Sequence, residues 1–202
     1  MAGSVIALCI NTASGTPDFV QANYAAPQVP QSAVAVLYIN DQIAGDVNVV
    51  VVPWNDTTAK INSVTDTAGN VYRLAIGPTQ LSGTASQSIY YAKQIAGAPG
   101  GVNAVTVTSS TAATFPDVRI LEYSGIDPLN PIEVVMGATG ASGTSDSGEL
   151  TTRNGTDLLL GANYVQTGTS GPGTGFTQRL LCGSRSDLIE DQVVTAYSDS
   201  GV

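Results

Sequence analysis

The residues of this chain best able to do chemistry are two cysteines and sixteen carboxylates, and histidine is absent. Without an imidazole, Ser-His-Asp and Cys-His hydrolysis, His-bearing zinc sites and the usual proton shuttle near neutral pH are excluded. Cys9 and Cys182 lie near opposite ends in strand-like runs, and only Arg179 and Arg185 flank Cys182. Neither has the electropositive setting that makes a thiolate reactive. Two structural readings stand open for the pair. One is a Cys9–Cys182 disulfide closing a very long loop, worth up to about 5 kcal/mol in the chain-entropy picture. The other is two buried free thiols.

Glycoside hydrolysis needs only two carboxyl groups about 5 to 9.5 Å apart, and Glu122, Glu133, Glu149 and Glu190 are available. Glu122 draws attention because Arg119-Ile120-Leu121-Glu122-Tyr123 sets a carboxylate in an otherwise apolar strand. The simpler expectation is a side chain facing solvent or paired with an arginine such as Arg119, so no catalytic residue is assigned. Asp66, Asn70, Asp127 and Asp187 lie in or beside loops that could offer oxygens to a hard cation. Calcium is the metal such loops would take, with Asp66, Asn70 and Asp127 as its candidate ligands. None has the dense D-x-D-x-D spacing of a calcium loop, and Asp and Asn are also ordinary turn formers. Gly171-Pro172-Gly173-Thr174-Gly175 has the look of a phosphate cradle, but proline removes a donor and no lysine or helix start follows. It reads as a turn.

Aromatic side chains are the other route to a ligand, since sugar rings can stack on an exposed Trp or Tyr. Trp54, Tyr72, Tyr91 and Tyr164 are the candidates. Tyr90 and Tyr91 are neighbours in a strand and must face opposite sides of a sheet. Trp54 shares parity with Val50 and Val52, which favours burial at the strand end over a glycan platform.

The elements that position these residues read as strands from end to end. Short β-branched runs recur about every dozen residues between Gly, Pro, Asn and Asp. They are Val5–Ile10, Ser32–Ile39, Asp46–Trp54, Ile61–Thr65, Val71–Ala75, Ser88–Gln94, Ala104–Ser109, Asp117–Tyr123, Ile132–Gly137, Asp157–Tyr164, Gly175–Cys182 and Asp191–Tyr197. Val102–Thr108 alternates apolar residues with Asn and Thr and is the cleanest half-buried strand. Val47–Val52 and Leu158–Leu160 read as central strands covered on both faces. Thr65–Asn70 predicts a hairpin loop, Ser184–Glu190 a single helical turn capped by Ser186, and Gly137–Gly148 a surface loop.

A charged share of 11% is under half the usual ~25%, and the net charge of −9 comes with no Lys/Arg cluster. Nucleic acid and anionic lipid are therefore poor partners, and no apolar stretch reaches the ~20 residues of a membrane helix. The start of the chain has no basic n-region followed by an apolar stretch, so it does not read as an intact signal peptide. Secretion is inferred from composition.

Three segments taken together, Asn55–Tyr72 with its Ser63-Val-Thr-Asp-Thr-Ala-Gly-Asn-Val-Tyr72, Ser88–Ile95, and Val118–Gly125, carry a resemblance over about Val34 to Ala196. The pattern resembles a poorly characterised β-sandwich module, Ig-like or jelly-roll-like, of large secreted or surface proteins of environmental bacteria. What the resemblance implies is fold and location rather than activity. It also implies strands beyond Ser198–Gly201, so the chain to Val202 reads as one domain lacking its C-terminal strand or strands, or completed by a neighbouring copy.

The expectation is thus an all-β, two-sheet antiparallel sandwich of jelly-roll or Ig-like type, spanning residues 1–202 and lying extracellularly or at the cell surface. Its expected role is non-catalytic binding or adhesion to polysaccharide or another surface component. The alternatives are a self-associating structural subunit using strand complementation and, less favoured, a carboxylate-dependent glycoside hydrolase.

Overall fold

A computed structural model describes residues 2–13, 16–182 and 187–195. In chain order the strands are β1 (Ala2–Asn11), β2 (Asp18–Ala25), β3 (Gln31–Leu37), β4 (Val47–Trp54), β5 (Ile61–Asp66), β6 (Arg73–Leu81), β7 (Ala85–Ala92), β8 (Ala104–Ala113), β9 (Val118–Ser124), β10 (Ile132–Ala141), β11 (Thr156–Val165), β12 (Thr177–Cys182) and β13 (Asp187–Thr195). All pairings are antiparallel. They build three sheets, ordered β10-β1-β11-β13-β12, β2-β9-β4-β7-β6 and β3-β8-β5. The expectation of two sheets is therefore corrected to three.

β4 shows why a third layer exists. Every one of its side chains is buried, which a half-solvated strand cannot achieve. Val47, Val49 and Val51 enter one core with Ile6, Leu8, Ile10, Leu121, Leu158 and Leu160, from the first sheet and β9. Val50, Val52 and Trp54 enter a second core with Val34, Val36, Val105, Val107 and Ile120, against the three-stranded sheet. Period-two alternation thus sends successive valines into different cores. At roughly 1.5–3 kcal/mol per buried aliphatic side chain, an upper bound for a compact unfolded chain, this run anchors all three layers.

β11 is less completely covered than its leucine run predicts. Leu158 and Leu160 are buried, whereas Leu159 points to the outer side of the first sheet and is only half-buried. Gly161 and Asn163 share that outer face with Leu159, because side chains two apart stand on one side.

The hairpin expected at Thr65–Asn70 does not form. β5 pairs with β8, whereas β6 pairs with β7 in another sheet. The loop does turn, with Gly69 at φ +79°, but Asp66 decides where it leads. Its carboxylate accepts the Asn70 backbone N–H at 2.9 Å, Asn70 Nδ2 at 2.7 Å, Tyr72 O–H at 2.9 Å and Asn103 Nδ2 at 3.1 Å. The chain is thereby lifted from one sheet into the next.

The helical turn expected at Ser184–Glu190 is also corrected over its described part, since Asp187–Glu190 opens β13. Strand alternation suits these residues: Ile189 enters the first core, and the Leu188 N–H on the other face donates to Asn163 Oδ1 at 2.8 Å. Ser184 and Ser186 lie outside the described residues, as does the segment 196–202 on which the expectation of a missing strand rested.

β2 carries a weak strand signal because its alternation is broken. A bulge between Phe19 and Gln21 changes its register against β9, so Phe19 and Ala22 both reach the first core although they are three residues apart. Buried Gln21 then follows the polar pattern of a loop in sequence.

Candidate functional site

The middle sheet has both faces covered, so a ligand-facing surface must come from elsewhere. The outer face of the first sheet carries a polar groove of about 250 Å³. Its floor is Val5 from β1, Gly161 and Asn163 from β11, and Leu188 and Glu190 from β13, and its walls are the loops Gly143–Ser145 and Thr169–Gly173. A second hollow of about 170 Å³ shares Val5, Thr144 and Ser145 with it and continues to Thr139 and Asp146.

Asn163 ties the walls to the floor. Its Nδ2 donates to Ser145 Oγ at 3.3 Å and to Thr169 Oγ1 at 3.1 Å, one from each loop. Glu190 pairs across the ladder with Gly161, and its side chain lies over that glycine. A Cβ on Gly161 would stand 3.2 Å from both Cγ and Oε1 of Glu190. The Gly173 N–H donates to Glu190 Oε2 at 2.7 Å. Burial pushes the Glu190 carboxyl up from its ordinary value, and the Gly173 N–H partly offsets this. Among the described residues, Glu190 is the only ionisable one lining the main groove. The result is a hydroxyl-, amide- and carboxylate-lined recess suited to a hydroxyl-rich neutral ligand, with no cationic side chain among its described lining residues to hold phosphate.

No family model, curated protein or solved structure matches this chain.

The groove uses residues that the sequence left aside. Gly171–Gly173 supplies part of a wall, and Glu190 faces the groove. A signal was present in Gly161, a glycine inside an apolar strand, which marks a place where another group approaches closely.

The expected aromatic platform is corrected. Trp54 is 1% exposed and Tyr164 4%. The parity that places Trp54 beside Val50 and Val52 puts it in the second core, and Tyr164 alternates inward with Leu160 and Ala162. Tyr72 is half-buried and spends its O–H on Asp66. Tyr91 is half-buried in β7, next to Val49 and Arg73. The exposed aromatics among the described residues are Tyr24 and Phe115, both at 42%, and neither lines the groove.

Of the expected calcium ligands, the fold brings Asp66 and Asn70 together but not Asp127. The Asp66 oxygens face four donors, an arrangement that closes a turn. Asp127 accepts the N–H groups of Leu129 and Asn130 at 2.7 and 3.0 Å, and these bonds hold its carboxyl below the ordinary range. Asp187 accepts the Val165 N–H and approaches Arg119. A different set, Cys9, Glu133 and Asp157, is the one whose ligand atoms gather within 4.8 Å among the described residues.

Both cysteines are free and buried. Cys9 and Cys182 are separated by three strand spacings and about five residues along the strands. That is roughly 14 Å by 17 Å, far beyond the ~7 Å Cα limit of a disulfide.

Glu122 faces neither solvent nor Arg119. It is 0% exposed, and three residues along a strand reverse the face, so Arg119 points the other way. Glu122 accepts Gln21 Nε2 at 2.6 Å and the Ile43 N–H at 3.3 Å. Its carboxylate neighbour is Asp46, whose carboxyl is pushed up to about 6 by burial first and then by the charge and hydrogen bond of Glu122. Arg119 pins the middle sheet to the first: Nη2 meets Asp117 at 2.7 Å and Asp187 at 3.5 Å, and Nη1 donates to the Asn163 carbonyl at 2.9 Å.

Proposed function

We propose that this chain is an extracellular or cell-surface binding module that holds polysaccharide, or another hydroxyl-rich surface component, in the groove over β1, β11 and β13. The observation that carries the reading is the Glu190 carboxylate laid over Gly161 beside the Asn163 amide, between two Gly/Ser/Thr loops. Carboxylate and amide groups on a rigid sheet present acceptors and donors at fixed spacing, which is what vicinal hydroxyls require. Binding here would rely on hydrogen bonding, as the described lining of the groove contains no aromatic residue. The reading is non-catalytic, since that lining offers one carboxyl group and no nucleophile with a base beside it.

The fold type proposed with it is a jelly roll carrying an added outer sheet. β2, β3, β4 and β5 alternate between the middle and three-stranded sheets, as do β7, β8 and β9, which supports a double Greek-key winding. β6 departs by staying beside β7. The proposal agrees with the resemblance to surface modules of environmental bacteria drawn from the Asn55–Tyr72, Ser88–Ile95 and Val118–Gly125 segments.

The test is a glycan array followed by calorimetry on Glu190→Gln, which keeps an acceptor for the Gly173 N–H. A polysaccharide hit weakened about tenfold or more, the size of one lost charge-assisted hydrogen bond, is expected. A blank array, or a hit indifferent to Glu190→Gln, defeats the proposal.

A further inference from the structure

Four residues along β1 from the groove, roughly 13 Å away on the same outer face, Cys9 is sealed beneath two carboxylates. Its Sγ–H donates to Glu133 Oε2 at 3.1 Å, and Cys9 Sγ, a Glu133 oxygen and an Asp157 oxygen all lie within 4.8 Å of one another. We propose that Cys9, Glu133 and Asp157 form a binding site for a divalent cation that accepts thiolate, with Zn2+ as the best match.

Two independent features of the chain converge on this spot. The first is backbone register. Cys9 opposes Val134 while Ile10 opposes Ile132, so Glu133 is the extra residue of a β-bulge. Ile132 and Val135 both pack into the first core, which leaves Glu133 and Val134 together on the outer side and turns the Glu133 carboxylate onto Cys9. The second is an unmet valence. Asp157 is 0% exposed, and its Oδ2 is buried without a hydrogen-bond partner among the described residues. A buried carboxylate oxygen left unpaired is destabilising, and a cation would remove that cost. Asp157 Oδ1 accepts the Asn154 side-chain amide at 3.3 Å, and the same amide is fixed by Asn11 Oδ1 at 2.6 Å. Asn154 thus roofs the site and, turned over, or replaced by a water, can supply a fourth ligand.

The donor set selects the ion. One sulfur with two carboxylates suits a borderline-soft metal, whereas calcium takes oxygen alone. Four-coordinate zinc places its ligand atoms about 3.5 Å apart, so the cluster needs to contract by only about 1 Å from its outer limit. Proton balance also closes. As the metal–sulfur bond forms, the Cys9 thiol releases its proton to solvent. Thiolate, two carboxylates and the dication then sum to −1, in place of a neutral thiol beside two mutually repelling carboxylates. Because the Cys9 thiol gives up its proton when the metal binds, affinity should rise with pH.

The test uses the full chain with Co2+ as a spectroscopic probe and Zn2+ in competition with a chromophoric chelator. One equivalent of Co2+ should give a thiolate-to-metal band in the near ultraviolet, lost in Cys9→Ser and kept in Cys182→Ser. Zn2+ affinity should fall about 100-fold or more in Asp157→Asn and in Glu133→Gln, exceeding the loss typical of an outer-shell partner. Glu133 is half-buried, so Glu133→Gln gives a reading even if Cys9→Ser fails to fold. Absence of the thiolate band in the unsubstituted protein, or unchanged zinc affinity in both carboxylate variants, overturns the assignment.

Discussion

Replacing Asp46 with asparagine should make the protein more stable at neutral pH and no more stable in acid. Asp46 lies at the entrance to β4, buried beside Glu122, with its carboxyl raised from the ordinary 3.8 to about 6 and its Oδ2 unpartnered among the described residues. A folded-state value above the unfolded one means the native state holds the proton more tightly. The associated stability is complete below about pH 4 and is lost as pH rises through about 6. The interval of about 2 units corresponds to about 3 kcal/mol. The amide introduced by Asp46→Asn would donate to Glu122 as the protonated acid does, without a charge to desolvate. Urea melts at pH 4, 5, 6 and 7 should therefore show the variant minus parent difference growing from near zero to about 3 kcal/mol. For a chain of this size the pH 7 gain amounts to about 6–12 °C in Tm. A difference that stays constant across this range would refute the reasoning, because a packing effect has no reason to follow the titration of Asp46.

Arg119→Met should cost about 3–5 kcal/mol in a denaturant melt at pH 7, since it strands Asp117 and Asp187 between two sheets without their counter-charge; a loss below about 1 kcal/mol would refute that role for Arg119. A thiol reagent should count two groups in denaturant and almost none in the native protein. Both sulfurs are buried, and the Cys182 thiol is pushed up to about 12, by burial first, with Arg119 opposing. Mass spectrometry finding the chain two hydrogens lighter would instead indicate a disulfide.

Much of the fold was legible because strand periodicity is a local property. Val47–Val52 carries no polar face apart from Asn48, and a strand of that kind must have protein on both sides, whatever covers it. Trp54 could be assigned to a core by parity with Val50 and Val52 alone, and the absence of histidine removes whole classes of chemistry before any coordinates are considered. The strands that follow these rules lie at their expected places in the chain, although β6 runs on to Leu81, β10 to Ala141, and β13 starts at Asp187, whereas β2 breaks the rule through its bulge at Phe19–Gln21.

Pairing is a different kind of information. Nothing local to Thr65–Asn70 says that β5 must join β8 while β6 joins β7; Asp66 decides that through a contact with Asn103, which lies 37 positions away. Both sites depend on such distant encounters. The groove brings Val5 beside Asn163 and Glu190, and the cation site brings Cys9 to Glu133 and Asp157. Sequence determined which residues face in and which face out wherever a strand keeps its two-residue repeat, as β4 does, while the bulges at Phe19–Gln21 and Glu133 break it. Tertiary structure decided which outward faces lie side by side, because sheet order is a sum of weak long-range contacts that no single stretch of chain records.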